Sequence, residues 1–438
     1  MNRTVEKGKT LLINGPASVT VTSGKAEAFG YPASNTKKIV IREGKRLPLT
    51  VEEKATFEIS LAEKANAEEV EGNTIPPSWV KASEELANSE TKPTIAMVLG
   101  TVDSGKTSFC TYIINKLLHQ KKKTAILDGD LGQSDVGPPC TVAYAFVAKP
   151  VTDLFNLQAK NAVFIGVTSP SGAIDKVVDG LTSLKKEIMY NDPDFVVINS
   201  DGWIEGEEAV KYKIRLVEEI EPDVIFFIQQ KDELTLLMNV LEKFRKVAVD
   251  SPSVISQRSR EKRKNLRELG YIKYLRNAKV QSFPLGWLKI EDSELFDISK
   301  KRSSIKEASR IYNLLGMKPL HFAEQKDSIS IIIGKTRWIN AENLKKLEEN
   351  TKKKVILIRK GEEEGLLTGL YDSQRKFLGI GVVQEIDYRR KTLKILTPVP
   401  KNIAIAAVGK VKLDKNMKEI PAFGEENQSE FTAFSKLL

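Results

Sequence analysis

Gly100–Thr107 reads G-T-V-D-S-G-K-T, a glycine and four other residues followed by Gly-Lys-Thr. Those residue types at that spacing suit one chemistry, the grip of a polyphosphate. Gly100 and Gly105 let the backbone N–H groups of Thr101, Val102, Asp103 and Ser104 curl around a phosphate. Lys106 can reach the β- and γ-phosphates, the Thr107 hydroxyl can ligate Mg²⁺, and Ser108 opens the segment that follows. Thr94–Leu99 has strand composition and Ser108–Leu118 carries apolar residues at helical spacing, so the loop lies between a strand and a helix N-terminus. Binding of a nucleoside triphosphate follows from that context.

A second cluster complements the first. The strand-like Thr124–Leu127 runs into D-G-D-L-G-Q. A carboxylate at the end of a strand beside a phosphate-binding loop can hold Mg²⁺ or its waters. Asp130 could face both the metal and an incoming hydroxyl, Asp128 could hold a metal water or the loop, and Gln133 could orient a nucleophile or a metal-bound water. The competing reading is an Asp-Gly turn with solvated carboxylates. Further on, Arg258, Arg260, Lys262, Arg263, Lys264, Arg267, Lys273 and Arg276 stand against only Glu261 and Glu268. On a helix, Arg260, Arg263, Lys264 and Arg267 share a face. Such a helix reads either as a lid that neutralises a transferring phosphoryl group or as a solvated basic face for RNA.

These clusters must be positioned by elements along 438 residues with a formal net charge of +10, enough chain for two or three domains and a basic balance that suits a polyanionic partner. Two cysteines, Cys110 and Cys140, form neither a disulfide framework nor a zinc site, which points to a reducing, cytoplasmic compartment. His119 and His321 are the only histidines, against His-based hydrolysis. No apolar run has the length of a membrane span.

Residues 1–90 show short β-branched alternations with turn clusters such as Tyr31–Asn35, the pattern of a small β-sandwich. Residues 91–322 alternate apolar strands (Thr94–Leu99, Thr124–Leu127, Ala162–Gly166, Phe195–Asn199, Val224–Ile228, Lys246–Val249) with amphipathic helices, and Ser303–Leu315 reads as a closing helix. That is an α/β domain with a parallel sheet, whose ligands bind beyond the carboxyl ends of the strands. Residues 323–438 are again β-rich, with Ile331–Ile333, Lys354–Ile358, Gly379–Val383 and Thr392–Leu396 as strands.

Taken together, G-T-V-D-S-G-K-T and D-G-D-L-G-Q-S-D-V-G-P-P resemble the polynucleotide 5′-hydroxyl kinase family, which includes the kinase of pre-mRNA cleavage and tRNA splicing and the ribosomal-RNA-processing kinase. Lys25–Gly30 resembles the family's N-terminal β-domain, where an acidic residue contacts the nucleotide base; the resemblance implies that role for Glu27. Val167–Ser171 resembles the clasp on substrate phosphate, implying RNA contacts for Thr168 and Ser169. Asn199–Trp203 resembles the segment whose tryptophan stacks on the terminal base; core packing is the alternative for Trp203. Gln257–Arg263 resembles a lid whose two arginines, Arg258 and Arg263, close on the phosphates, with Arg260 facing RNA. Gly365–Leu370 and Phe377–Gly381 are similar to the ribosomal-RNA-processing branch and its archaeal relatives.

The expectation is a kinase using ATP or GTP with Mg²⁺ on the free 5′-hydroxyl of RNA, with DNA as a second candidate and RNA-processing proteins as partners. Lys106, Asp130, Arg258 and Arg263 would carry catalysis, and Thr107, Asp128, Asp130 and Gln133 the metal. Gln133 would also meet the RNA. The rivals are a nucleotide-holding scaffold, a switch-type NTPase using Gln133 for water, and a small-nucleoside kinase.

Overall fold

The N-terminal region holds seven strands: β1 (Asn2–Val5), β2 (Lys9–Asn14), β3 (Ala17–Ala28), β4 (Tyr31–Ala33), β5 (Ile39–Ile41), β6 (Arg46–Leu61) and β7 (Asn66–Glu71). The computed structural model describes residues 1–33, 37–255, 257–292, 305–324, 327–400 and 402–421. Ser34 and Asn35 of the expected turn, and Ser303 and Ser304 of the expected closing helix, lie outside the described residues. In place of two separate sheets, the seven strands form one hydrogen-bonded antiparallel sheet, β4-β3-β6-β2-β7, with β1 on β6 and β5 on β3. The long β3 and β6 serve several partners, which lets a single sheet wrap a core that includes Leu11, Ile13, Val19, Leu49 and Phe57. The register sets Asn14 opposite both Arg46 and Asn66, a polar row at one end of the sheet.

The helix α1 (Pro77–Ala87) leads into the central sheet. That sheet contains β8 (Thr94–Gly100), β9 (Thr124–Asp128), β10 (Thr141–Val147), β11 (Asn161–Phe164), β12 (Phe195–Asn199), β13 (Val224–Gln229) and β14 (Lys246–Asp250). Its order is β11-β10-β9-β12-β8-β13-β14, with β9, β12, β8, β13 and β14 parallel. The helices α2 (Lys106–His119), α3 (Ile174–Met189), α4 (Glu207–Ile220) and α5 (Thr235–Val240) provide the crossovers. β8, β9 and β12 are buried along their whole length.

The sheet departs from the all-parallel expectation at one edge. β10 was not anticipated as a strand, and it pairs antiparallel with both β9 and β11. The reason is the connection: Gly129–Cys140 carries no helix, and without a crossover the chain can only return antiparallel. The helix α6 (Arg260–Tyr274) follows β14.

The chain divides within α6 into two compact units, Met1–Gly270 and Tyr271–Leu438. The second unit has a sheet of Lys279–Pro284, Thr392–Thr397, Phe377–Asp387, Leu366–Tyr371, Ile405–Leu413 and Lys289–Glu291. Lys279–Pro284 and Lys289–Glu291 thus pair with C-terminal strands, although they precede the boundary expected at 322. A three-stranded sheet (His321–Glu324, Ser328–Ile333, Lys354–Arg359) shares a core with the helices Ile305–Leu315 and Ala341–Thr351. No helix among the described residues is long and apolar enough to cross a membrane.

Candidate active site

β8 delivers Gly100 to the carboxyl edge of the sheet, and the chain enters α2 through Gly105 at φ +102°, a conformation that side chains resist. The Gly105 carbonyl accepts the first helical bond from Phe109 N at 2.9 Å. Lys106 is buried and folds back along the loop, its Nζ donating to the carbonyls of Gly100 (3.0 Å) and Thr101 (2.6 Å). Burial lowers its pKa, and the charge of Asp130 opposes that shift. The Ser104 hydroxyl and Arg258 Nε are buried without a partner among the described residues. Unpaired donors at a helix N-terminus fit the oxygens of a phosphate, so this cradle suits the triphosphate implied by its sequence.

Three aspartates, Asp128 at the end of β9 and Asp130 and Asp135 in the loop after it, have three different environments. Asp128 is fully buried and accepts from Asn199 Nδ2 (3.0 Å), Asp130 N (3.3 Å), Asp135 N (2.8 Å) and Val136 N (3.1 Å). Burial, with the charges of Asp130 and Asp135, still pushes its pKa up to about 7. Both its oxygens are occupied, which removes Asp128 as a direct metal ligand. It acts on the site through Asn199, whose Nδ2 also donates to the Thr107 hydroxyl at 3.4 Å.

Asp130 receives Gly132 N and Gln133 N, each at 3.0 Å, on Oδ1 alone. Its Oδ2 takes no hydrogen bond among the described residues, and its pKa is raised by burial against the pull of Lys106. Asp130 and the Thr107 hydroxyl are therefore the groups suited to Mg²⁺; no cluster of three metal-ligating side chains occurs among the described residues. Gln133 was expected at the metal. Its amide nitrogen instead donates to the carbonyls of Gly132 (2.5 Å) and Arg263 (3.0 Å), tying the loop to α6.

Asp135 is buried and meets the turn between β5 and β6. Arg42 pairs with it and with Asp153 (2.6 Å), and Lys45 Nζ lies 2.7 Å away. These cations hold the Asp135 carboxyl well below the usual carboxylate range despite its burial. Neither this network nor the Asn199 bridge was read from the sequence. Asn199 was recoverable as the last residue of a strand paired with β8 and β9, whereas Arg42 and Lys45 lie far from Asp135 in the chain.

The lid arginines converge on the phosphate loop. Arg258 Nη1 lies 3.4 Å and Arg263 Nη1 3.2 Å from the Asp103 carboxylate. Arg260 is exposed and makes no such contact. Asp103, Lys106, Thr107, Asp130, Gln133 and Arg258 share one cavity of about 560 Å³ with Ser108, Asn14, Arg46 and Asn66.

Close backbone approaches bring two further segments to the site. A Cβ on Gly132 would stand 3.2 Å from the Thr168 carbonyl, and one on Gly202 would stand 2.7 Å from Val102 N. Ser169 is exposed, its Oγ 3.1 Å from that of Ser171. Trp203 is half-buried and stacked on Tyr212 (centroids 5.8 Å apart, planes at 25°). Behind it, Asp201 accepts from Trp203 N (2.9 Å), Tyr212 OH (2.8 Å) and the fully buried Lys213 Nζ (2.7 Å). Glu27 does not reach the phosphate cavity. It pairs with Lys116 Nζ at 3.0 Å and lines a separate pocket with Tyr112 and His119. The N-terminal sheet supplies Asn14, Arg46 and Asn66 to the cavity instead, with Arg46 Nη1 donating to Val254 O at 2.8 Å.

Residues 100–277 match the family model described as the mRNA cleavage and polyadenylation factor CLP1 P-loop. This segment is similar to the CLP1 P-loop family. The loop, the Asp130 strand end, the clasp, Trp203 and the lid all fall within the CLP1 match. A Methanocaldococcus jannaschii protein named polyribonucleotide 5′-hydroxyl-kinase is 27% identical over 351 residues, 79% of this chain and 94% of that protein. A Pyrococcus abyssi protein of the same name is 27% identical, covering 81% and 97%. The Xenopus tropicalis polyribonucleotide 5′-hydroxyl-kinase Clp1 is 24% identical, covering 88% and 86%. Among solved structures, the Clp1p–Pcf11p complex gives a TM-score of 0.66 at 11% identity, over 94% of this chain and 97% of the matched one, a likeness of fold.

Proposed function

We propose that the protein is a polynucleotide kinase that transfers the γ-phosphate of ATP or GTP to the free 5′-hydroxyl of RNA. The observation that carries this reading is the convergence of Lys106, Thr107, Asp130 and Arg258 on one cavity. The names of the archaeal and amphibian relatives support it. The loop amides and Lys106 hold the donor phosphates. Mg²⁺, held by the Thr107 hydroxyl, would neutralise charge on the β- and γ-phosphates. Asp130 Oδ2, which accepts no hydrogen bond among the described residues, takes the proton of the attacking 5′-hydroxyl. Arg258 and Arg263 stabilise the transferring group, Thr168 and Ser169 grip the RNA backbone, and Trp203 offers a ring to the terminal base. A cytoplasmic location and protein partners from RNA processing belong to the same reading.

The test is incubation with γ-labelled ATP or GTP and RNA or DNA oligomers bearing either a 5′-hydroxyl or a 5′-phosphate. Label should appear on 5′-hydroxyl RNA and not on 5′-phosphate RNA. Lys106→Ala should abolish it, because no other cation replaces that charge in the loop. Hydrolysis without transfer, or binding with neither, would refute the kinase reading.

A further inference from the structure

Asp103 is the only acidic residue of the phosphate-binding loop, and a carboxylate there opposes the anion the loop must hold. The structure shows what offsets that cost. The backbone N–H of Arg258 donates to Asp103 Oδ2 at 2.9 Å, Arg258 Nη1 reaches Oδ1 at 3.4 Å, and Arg263 Nη1 reaches Oδ2 at 3.2 Å. Arg263 Nη1 also donates to the Arg258 carbonyl at 2.7 Å, which locks the two arginines to each other. The Asp103 side chain is 9% exposed, so these charge-assisted bonds are largely shielded from solvent. Other lid contacts act on different atoms: Gln133 holds the carbonyl of Arg263, and Leu266 packs against Gly44. Those contacts fix the helix. Among the described residues, Asp103 is the only side chain that holds the two guanidinium groups.

We propose that Asp103 is a positioning residue that docks Arg258 and Arg263 onto the phosphate-binding loop, so that the lid's charge is in place when the phosphoryl group is transferred. This rests on the kinase reading for its effect on rate, while the docking itself can be measured without it. Asp103 has φ +57°, which glycine adopts without strain and asparagine tolerates. Asp103→Gly therefore removes the carboxylate and leaves the loop backbone free to keep its course. Asp103→Asn keeps an acceptor for the Arg258 N–H but loses the charge.

Asp103→Gly should lower turnover at saturating nucleotide and RNA by about 10–100-fold, the range of a lost charge-assisted hydrogen bond. Nucleotide affinity should hold or tighten, since one negative charge facing the phosphates is gone. Asp103→Asn should fall between Asp103→Gly and the native protein. In an Arg258→Ala/Arg263→Ala background, Asp103→Gly should have no further effect. Trypsin should cut at Arg260, Lys262 and Lys264 several-fold faster in Asp103→Gly than in the native protein, each protein taken without nucleotide. An equal rate loss in both backgrounds, weakened nucleotide binding in both variants, or unchanged trypsin cleavage would overturn the proposal. If the native protein transfers no phosphate, the kinase reading fails, and the trypsin comparison alone decides whether Asp103 holds the lid.

Discussion

Asp130→Asn separates chemistry from architecture at this site, with Asp128→Asn as its contrast. The amide oxygen introduced by Asp130→Asn can keep both bonds that Asp130 Oδ1 receives, from Gly132 N and Gln133 N at 3.0 Å, so the loop has no reason to open. What is lost is the proton acceptor at Oδ2. A positioned general base contributes about 10²–10⁴-fold, and turnover should fall by that amount. Nucleotide affinity measured without Mg²⁺ should not fall, because a negative charge leaves the neighbourhood of the phosphates. The pH profile adds a sign. A base works ionised, so the native rate should climb with pH as the Asp130 carboxyl loses its proton. That limb should disappear from the residual rate of Asp130→Asn.

Asp128→Asn should behave in the opposite way. An Nδ2 group in place of Oδ2 would face the N–H groups of Asp135 and Val136, leaving two buried donors without an acceptor. The cost is about 1–3 kcal/mol for each, part of it returned by removing a charge that burial already disfavours. Thermal denaturation beside single-turnover transfer of labelled γ-phosphate distinguishes the two variants. Native turnover in a folded Asp130→Asn protein would refute the reasoning, as would a loss of rate accompanied by an equal loss of stability.

Trp203→Ala should weaken RNA by about 1–3 kcal/mol and leave nucleotide affinity alone; a large fall in melting temperature with unchanged RNA binding would make the Tyr212 stack a packing contact only. Arg263→Ala should cut turnover at saturating RNA. Arg260→Ala, altering an exposed residue, should leave that rate intact and lower the salt slope of RNA binding by about 0.7, so that identical effects of the two would argue for a diffuse basic patch. Asp135→Ala leaves Lys45 facing an empty position and Arg42 with Asp153 alone, and should destabilise the first unit by about 3–5 kcal/mol in denaturant titrations. Because Asp135 is held below the usual carboxylate range, its contribution is present above about pH 4 and lost as pH falls through its folded pKa. The native-minus-variant stability difference should therefore shrink in acid; a constant difference would refute the pairing.

The phosphate loop was legible because its function resides in local backbone geometry, which residue order encodes directly. The parallel strands were legible from continuous apolar runs. The Thr141–Val147 strand was not, since its pairing depends on a helix-free return that composition does not mark. Glu27 shows the same limit for sites: its local sequence fits the N-terminal domain, but its contacts depend on where β3 delivers it, which is beside Lys116.

The aspartates of D-G-D-L-G-Q-S-D carry the point furthest. The sequence singled out Asp128 and Asp130 and not Asp135, and the partners of each separate the three. Asp128 is saturated by four donors, Asp135 is neutralised by two cations from the turn between β5 and β6, and Asp130 alone keeps an oxygen open. Three uncompensated carboxylates in one loop would repel a triphosphate held beside them. Arg42 and Lys45 remove one of those charges from the balance, and they come from a domain that a strand-and-motif reading sets apart from the chemistry. The N-terminal sheet is thus part of the site's electrostatics as well as a wall of its cavity, and its removal should impair nucleotide binding even where the phosphate loop itself still folds.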